Sequence, residues 1–449
     1  MKRQREQLEM AQAGLSRRSF LAGSTAGGLL MGLGVLAPGA SLKAVADEMA
    51  HSGGSKVFSP AVWFELYEDG RVVVNITKAE MGQHVGTALA RIVADELGAD
   101  WEDVTLDHVN TDPKWGTMVT GGSWSVVTSF QMLSQAGAAG RQVLIEAAAP
   151  LLGVDAAELT AANSTVSGGG KSISYADIVK RGDVSRSFSE DELAAMPVKA
   201  PAQRDLIGKA VKARDIPEKS TGEAVYGLDA EMPGMVYAHP IMPPTRFGSE
   251  VKSVDARPAQ DIPGFLTSMV VDDPTGYVQG WVLAIAETLP AAIKASEVIK
   301  VDWTPGKTAG VSEADILEEG EKLVGDKSSG ALFVDEGDAP GALAAAAESL
   351  SSVYRTHTAL HFTLEPQNAL VHYKEGRFHV HAGNQWQSLI MPVLAESLGV
   401  DASDIHMHTY YLGGGFGRRL FGDQIIPAAH AARKLGKPVK LVLTRPADS

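Results

Sequence analysis

Gly413-Gly414-Gly415-Phe416-Gly417-Arg418-Arg419, directly behind the apolar run Met407 to Leu412, is the stretch on which the reading of this chain turns. Three consecutive glycines and a fourth one residue later leave a backbone almost free of β-carbons, able to approach a large anionic ligand and aim several N–H groups at it. The two arginines add positive charge. A sheet-to-helix turn in which glycine serves only packing reads the same in isolation. A dinucleotide fingerprint does not, because in G-x-G-x-x-G register the last glycine position is Arg418.

The surrounding sequence decides between these readings. From Thr358 the chain runs T-A-L-H-F-T-L-E-P-Q-N-A-L-V-H-Y, then H-V-H-A-G-N-Q-W-Q, then G-G-G-F-G-R-R, then P-V-K-L-V-L-T-R. This order resembles the molybdenum-binding large subunits of the xanthine dehydrogenase and aldehyde oxidase family, in particular the branch with the isoquinoline 1-oxidoreductase β-subunit and the membrane-associated bacterial aldehyde dehydrogenases. The resemblance implies an α+β, multidomain molybdopterin-binding fold that includes an α/β hammerhead domain. It implies that Gly414, Gly415, Phe416, Gly417 and Arg418 hold a molybdopterin cofactor, in its cytosine dinucleotide form, largely through the main chain. It gives Gln385, the glutamine of the N-Q pair, a catalytic role in hydrogen-bonding an oxygen ligand of molybdenum.

Composition sets outer bounds. A chain of 449 residues, 45% hydrophobic and 21% charged, is ordinary for a globular protein and long enough for two or three domains. A net charge of −14 argues against a nucleic-acid partner. With no cysteine, the chain offers no disulfide and no thiolate ligand for an iron–sulfur cluster. Such a centre must sit on another polypeptide, and the resemblance supplies one: a cysteine-bearing 2Fe-2S small subunit, with a cytochrome c subunit as a further partner.

The N-terminus reads as a targeting segment. Ser16-Arg17-Arg18-Ser19-Phe20-Leu21 opens an uncharged, glycine-rich stretch to Leu42, and Ala44-Val45-Ala46 has the small-x-small form of a cleavage site. A transmembrane anchor is the competing reading, but Gly23, Gly27, Gly28, Gly32, Gly34 and Pro38 dilute the apolarity. Residues 1–46 are therefore expected to be a twin-arginine signal directing the protein to the periplasm, with membrane association possible there.

Residues 58–200 are expected to form the first part of the molybdopterin-binding domain. Val62 to Tyr67 and Val72 to Ile76 flank Asp69-Gly70 as a hairpin, and helical spacing follows, with Leu89, Ile92, Val93 and Leu97 on one face. The segment E-M-G-Q-H resembles the family's E-M-G-Q-G, which places Gly82 and Gln83 against the cofactor beside a helix N-terminus, a suitable anion site. His84 stands where the common pattern has glycine and is read as a capping or packing residue; no side chain is assigned as a metal ligand. Thr120-Gly121-Gly122-Ser123 precedes a second amphipathic run through Ala149. A plain N-cap explains it, and the resemblance adds Gly122 and Ser123 as cofactor-binding residues.

A polar connector, 181–206, leads to residues 213–310, which look like the hammerhead domain, with Val282 to Ala286 a buried strand. Arg246-Phe247 is read as surface. Residues 311–350 read as an acidic helical linker, and 351–449 as the remainder of the molybdopterin-binding domain, incomplete at its C-terminus. The E-M-G-Q-like segment precedes the hammerhead stretch, which fits the isoquinoline and membrane aldehyde dehydrogenase branch. The family's G-x-G-E segment with its glutamate base is missing, and Glu365 matches a scaffold glutamate instead. The function implied is oxidation of an aldehyde or N-heterocycle with water-derived oxygen. The competing reading is a non-catalytic cofactor-binding remnant, or one half of a split large subunit. The targeting reading has a direct test: Arg17→Lys with Arg18→Lys should leave the protein in the cytoplasm, and unchanged periplasmic yield on fractionation would overturn it.

Overall fold

A computed structural model describes residues 57–449 apart from 187, 327, 329, 332, 333 and 335. The twin-arginine segment lies outside the described residues. The first half builds on a four-stranded sheet, β1 (Val57–Ala61), β2 (Phe64–Tyr67), β3 (Val72–Ile76) and β4 (Val104–His108), in that order. β2 and β3 form the expected antiparallel hairpin, whereas β3 and β4 run parallel. Parallel neighbours need a crossover, and helix α1 (Val85–Leu97) supplies it, burying Leu89, Ile92, Val93 and Leu97. Helix α2 (Trp124–Leu152) packs across α1 through Gly137 and Gly140. A small three-stranded sheet follows, β5 (Thr160–Ala162), β6 (Thr165–Gly168) and β7 (Lys171–Ser174). The connector then returns to α1, where the backbone N–H groups of Asp205, Leu206 and Ile207 donate to the buried Asp95 carboxylate.

The second half is organised by a seven-stranded mixed sheet. Its strands are β8 (Val236–Ile241), β10 (Phe265–Val270), β11 (Val282–Ala286), β13 (Asn368–Lys374), β14 (Arg377–His381), β15 (Ile405–His408) and β16 (Val439–Val442), in the order β10-β11-β8-β16-β13-β14-β15. β9 (Glu250–Asp255) and β12 (Lys300–Thr304) pair separately. Every residue of β11 is buried, because strands lie on both sides of it and helix α3 (Leu289–Val298) packs on it. The strands of 213–310 and 351–449 thus share one ladder, β8 pairing in parallel with β16. Helix α4 (Glu313–Gly325) of the acidic stretch has no buried residue. Helices α5 (Gln387–Leu398) and α6 (Ile425–Leu435) cover the core face of the large sheet, α6 burying seven residues from Ile425 to Ala432.

The helix contact in the first half depends on residue size. A β-carbon at Gly137 would stand 2.7 Å from the Val93 carbonyl oxygen, so α1 and α2 are closer there than alanine permits. Gly137→Ala should push them apart and lower unfolding free energy by about 1–3 kcal/mol, a typical overpacking cost, despite alanine's better helix propensity. Urea denaturation measures this; equal or greater stability would show that the helices part without strain.

Candidate functional site

Three loops meet where the two halves touch. Residues 77–84 lead into α1, residues 116–123 lead into α2, and residues 409–424 lead into α6. The centre of the junction is the buried amide of Gln385. Its Oε1 accepts from the Gly417 N–H at 3.0 Å and its Nε2 donates to the Thr120 carbonyl at 2.9 Å. Its own backbone carbonyl accepts from Thr120 N–H at 2.7 Å, and Thr120 Oγ1 accepts from Ala79 N–H at 2.7 Å. The Leu412 N–H donates to the Glu80 carbonyl, which completes a ring of bonds through all three loops.

Gly415 shows why the loop lacks β-carbons: a β-carbon there would lie 2.5 Å from Gln385 Oε1 and 2.8 Å from Met81 Sδ. Gly414 and Gly417 adopt φ of +96° and +97°, in the region that favours glycine. Each loop also holds one non-glycine residue at positive φ: His84 at 57°, Ser123 at 60° and Phe416 at 54°. Such conformations cost on the order of 1–3 kcal/mol and persist only where surrounding structure imposes them. Gly82, Gln83, Gly122, Ser123 and Phe416 are exposed along the rim, with Phe416 70% exposed and Trp124 56%. All the predicted site residues thus lie on these three loops or at their junction.

Charge is distributed differently from expectation. Arg418, read as a cofactor ligand, is committed to carboxylates, Nε to Asp448 at 2.6 Å and Nη1 to Asp423 at 2.8 Å. Burial opposes its charge, but these two partners outweigh it and raise its pKa. Arg419 is fully buried, with Nη2 on Glu365 at 2.9 Å and Nε on the Gly414 carbonyl. Both arginines brace the loop from behind and offer no uncompensated cation to a ligand. Gln83 is likewise turned back, its amide bonding Met81 N–H and the Ala79 carbonyl.

The helix N-terminus beside Gly82 is already served by an internal anion. The buried Glu80 carboxylate accepts from the N–H groups of Gly82, His84 and Val85. Lys219 Nζ then bridges Glu80, at 2.7 Å, and Asp215, whose carboxylate also meets His84 Nδ1 at 2.9 Å. The α2 N-terminus differs: Ser123 makes no side-chain cap, and the turn before the helix faces solvent. An anion near the loops is therefore met by backbone N–H groups and the α2 dipole.

Glu80, Thr120, Asp215 and Lys219 escaped the sequence reading. Asp215 and Lys219 at i,i+4 spacing is a visible ion-pair signal, but its partner Glu80 is remote in the chain and no periodicity links them. Arg246, read as surface, is exposed, and its Nη1 also pairs with Asp423 Oδ2 at 2.9 Å, the carboxylate that holds Arg418.

One donor at the junction is left over for a pterin cofactor: Gln385 Nε2 carries a second hydrogen that the Thr120 bond does not use. Two matches to molybdopterin cofactor-binding domains cover residues 18–204 and 325–449. The chain belongs to the molybdenum hydroxylase family whose large subunits carry these domains. Among its relatives, it is 48% identical over 439 residues to the membrane-bound aldehyde dehydrogenase (pyrroloquinoline-quinone) of Gluconacetobacter polyoxogenes, covering 97% of this chain and 56% of that protein. It is 30% identical over 483 residues to the isoquinoline 1-oxidoreductase subunit beta of Brevundimonas diminuta, covering 97% of this chain and 60% of that one. The chain thus spans little more than half the length of these relatives. Quinoline 2-oxidoreductase from Pseudomonas putida 86 superimposes with a TM-score of 0.43 at 18% identity, over 54% of this chain and 35% of that chain.

The Glu80–Lys219–Asp215 cluster carries its own test. Removing the shared cation leaves two buried carboxylates unpaired, which costs on the order of 3–5 kcal/mol. Burial alone would raise the Asp215 pKa, but hydrogen bonds from Lys219 and His84 overcome this and lower it. A depressed carboxylate contributes stability that is present above its unfolded pKa and lost as pH falls through the folded value. Lys219→Met should be destabilised at pH 7 and lose less of its remaining stability on acidification than the parent. Parallel pH–stability curves from denaturant titrations would show that the lysine does not set the Asp215 charge.

Proposed function

We propose that this chain is the cofactor-gripping part of a molybdenum hydroxylase large subunit that oxidises an aldehyde or N-heterocycle and passes the electrons to a partner iron–sulfur subunit. The carrying observation is the ring of hydrogen bonds through Gln385 that closes three glycine-bearing loops onto one rim. We read 58–200 and 351–449 as two parts of one molybdopterin-binding unit and 213–310 as its hammerhead platform. When bound, the molybdenum cofactor, in its cytosine dinucleotide form, supplies two-electron oxidation with oxygen derived from water. The chain's own residues grip and orient: Gly414 to Gly417 allow close backbone approach, Gln385 presents its remaining amide hydrogen, and Gly122 with Ser123 offers the α2 N-terminus to phosphate. Exposed Phe416 and Trp124 supply apolar walls that exclude water when covered.

General-base chemistry does not fall to the carboxylates beside the loops. Glu365 accepts hydrogen bonds from Leu228 N–H, Gly413 N–H, Asn368 Nδ2 and Arg419, and Glu80 is similarly saturated. That saturation favours the second reading, a cofactor-holding half that acts only with a base from elsewhere. Aldehydes are the first substrate class to try, because the 48% relative bears that name and the 30% relative is named for an N-heterocycle. The former's name also specifies pyrroloquinoline quinone, whereas both domain matches in this chain are to molybdopterin-binding domains. This chain offers no cysteine to a cluster, and our reading places the 2Fe-2S clusters on a small subunit, with a cytochrome c subunit as onward acceptor. The twin-arginine segment and the membrane-bound relative favour the periplasmic face of a membrane. Among the described residues no helix is long and apolar enough to span one.

The test is metal retention in the assembled protein. Gly415→Val should lower thermal stability, because its side chain must displace Gln385 and Met81, and should drop molybdenum content severalfold or more in the protein that remains folded, whereas Gln385→Ala should keep most of the metal. Turnover by the latter should fall roughly 10–150-fold, corresponding to about 1.5–3 kcal/mol for one hydrogen bond to a charged group. Parental molybdenum in folded Gly415→Val would remove the cofactor role of the loop.

A further inference from the structure

Five of the chain's 12 histidines gather at one end of the large sheet, on the face turned away from its core. β14 contributes His379 and His381, the edge strand β15 contributes His406 and His408, and β13 contributes His372 opposite His379. The alternate residues Phe378, Val380, Ile405 and Met407 are buried in the core beneath α5 and α6. Strand periodicity therefore forces the histidines together on the outer face, and the parallel register sets His379 beside His406 and His381 beside His408. An outer sheet face near an edge normally carries lysine, glutamate or threonine. Here it carries two H-x-H pairs side by side.

The rings are close. His381 and His408 stack with centroids 4.2 Å apart and planes 4° apart, His406 meets His408 edge-on at 4.4 Å, and His379 lies 6.0 Å from both His406 and His408. Tyr410 Oη lies 2.9 Å from His381 Nδ1, a hydrogen bond that orients the ring with Nε2 on its other side.

We propose that His381, His406 and His408, backed by His379, form a surface site for one borderline divalent transition-metal ion such as Zn²⁺, Ni²⁺ or Cu²⁺. Neutral imidazole is the ligand type these ions share, at about 2.0–2.1 Å for zinc. Binding converts stacked rings into converging ones by rotation about the side-chain bonds of His406, which is exposed, and His408. Among the described residues, Glu80, His84 and Asp215 are the group whose ligand atoms already lie within 4.8 Å of one another, whereas the histidine rings must turn to converge; the Lys219 ammonium, however, bridges both carboxylates of the former group. That cluster serves as the comparison.

The experiment uses the purified full chain, cleared of loosely bound ions with EDTA and titrated with ZnCl₂ by calorimetry, with Cu²⁺ as a second probe by electron paramagnetic resonance. Expected are one Zn²⁺ per chain and imidazole nitrogen splitting on Cu²⁺. His406→Ala with His408→Ala should weaken zinc at least about tenfold, in line with the sensitivity of designed and natural sites to their ligand shells. His84→Ala should bind as the parent does. Parental affinity in the double variant, loss of binding in His84→Ala instead, or several ions held equally weakly by all three proteins would overturn the site. The substitutions lie on a solvent face, and unchanged circular dichroism separates ligand loss from unfolding.

Discussion

One buried amide holds the two halves of this protein in register. Gln385 hangs from the strand-to-helix turn after β14, yet both ends of its side chain are spent on loops from other parts of the chain, Thr120 and Gly417. A buried amide left without partners costs about 1–3 kcal/mol, so the loops and the glutamine stabilise one another only when all are in place. This reciprocity gives the glycines a second purpose beyond ligand access. Gly415 lacks a β-carbon first because Gln385 and Met81 already occupy that volume. The surface offered to a cofactor is the outer side of a backbone whose inner side is fully used.

The same logic governs charge. Glu80 and Glu365 are buried acids that collect N–H donors from the loops, and Lys219 and Arg419 neutralise them from behind. Internal anions of this kind fix loop shape before any ligand arrives, at the desolvation cost of every buried ion pair. The consequence is a rim at which Arg418, Arg419 and Lys219 are already paired with carboxylates and the peptide dipoles remain. Dipoles fixed by the fold undergo little reorganisation when charge develops nearby, unlike mobile side-chain cations.

Much of this was legible in the linear sequence. The β2–β3 hairpin, helix α1 and the buried strand β11 follow from periodicity, and the glycine loops stand out by composition. Two things were hidden. The roles of Arg418 and Arg419 depend on Asp423, Asp448 and Glu365, and a sequence displays arginines next to glycines without showing that carboxylates reach them first. Sheet membership was the other: β8 to β11 read as a unit of their own because short-range pattern is local, whereas the β8–β16 pairing joins residues some two hundred positions apart. Long-range hydrogen bonding leaves no periodic trace in either strand.

That shared ladder constrains how residues 213–310 relate to the glycine-bearing loops. With β8 hydrogen-bonded to both β11 and β16, and the Lys440 ammonium on the Ala230 carbonyl at 2.6 Å, residues 213–310 cannot shift against 351–449 without breaking backbone bonds in the core. Any relative movement of the two stretches is therefore confined to strand ends and their loops. One such loop is already wired to the site: Arg246 shares Asp423 with Arg418, so the turn bearing the exposed Phe247 is tied by two ion pairs to the base of the glycine loop. Asp423 is fully buried between Arg418, whose side chain is largely buried, and Arg246, whose side chain is exposed. The Phe247 turn and the base of the glycine loop thus share one buried carboxylate above the sheet.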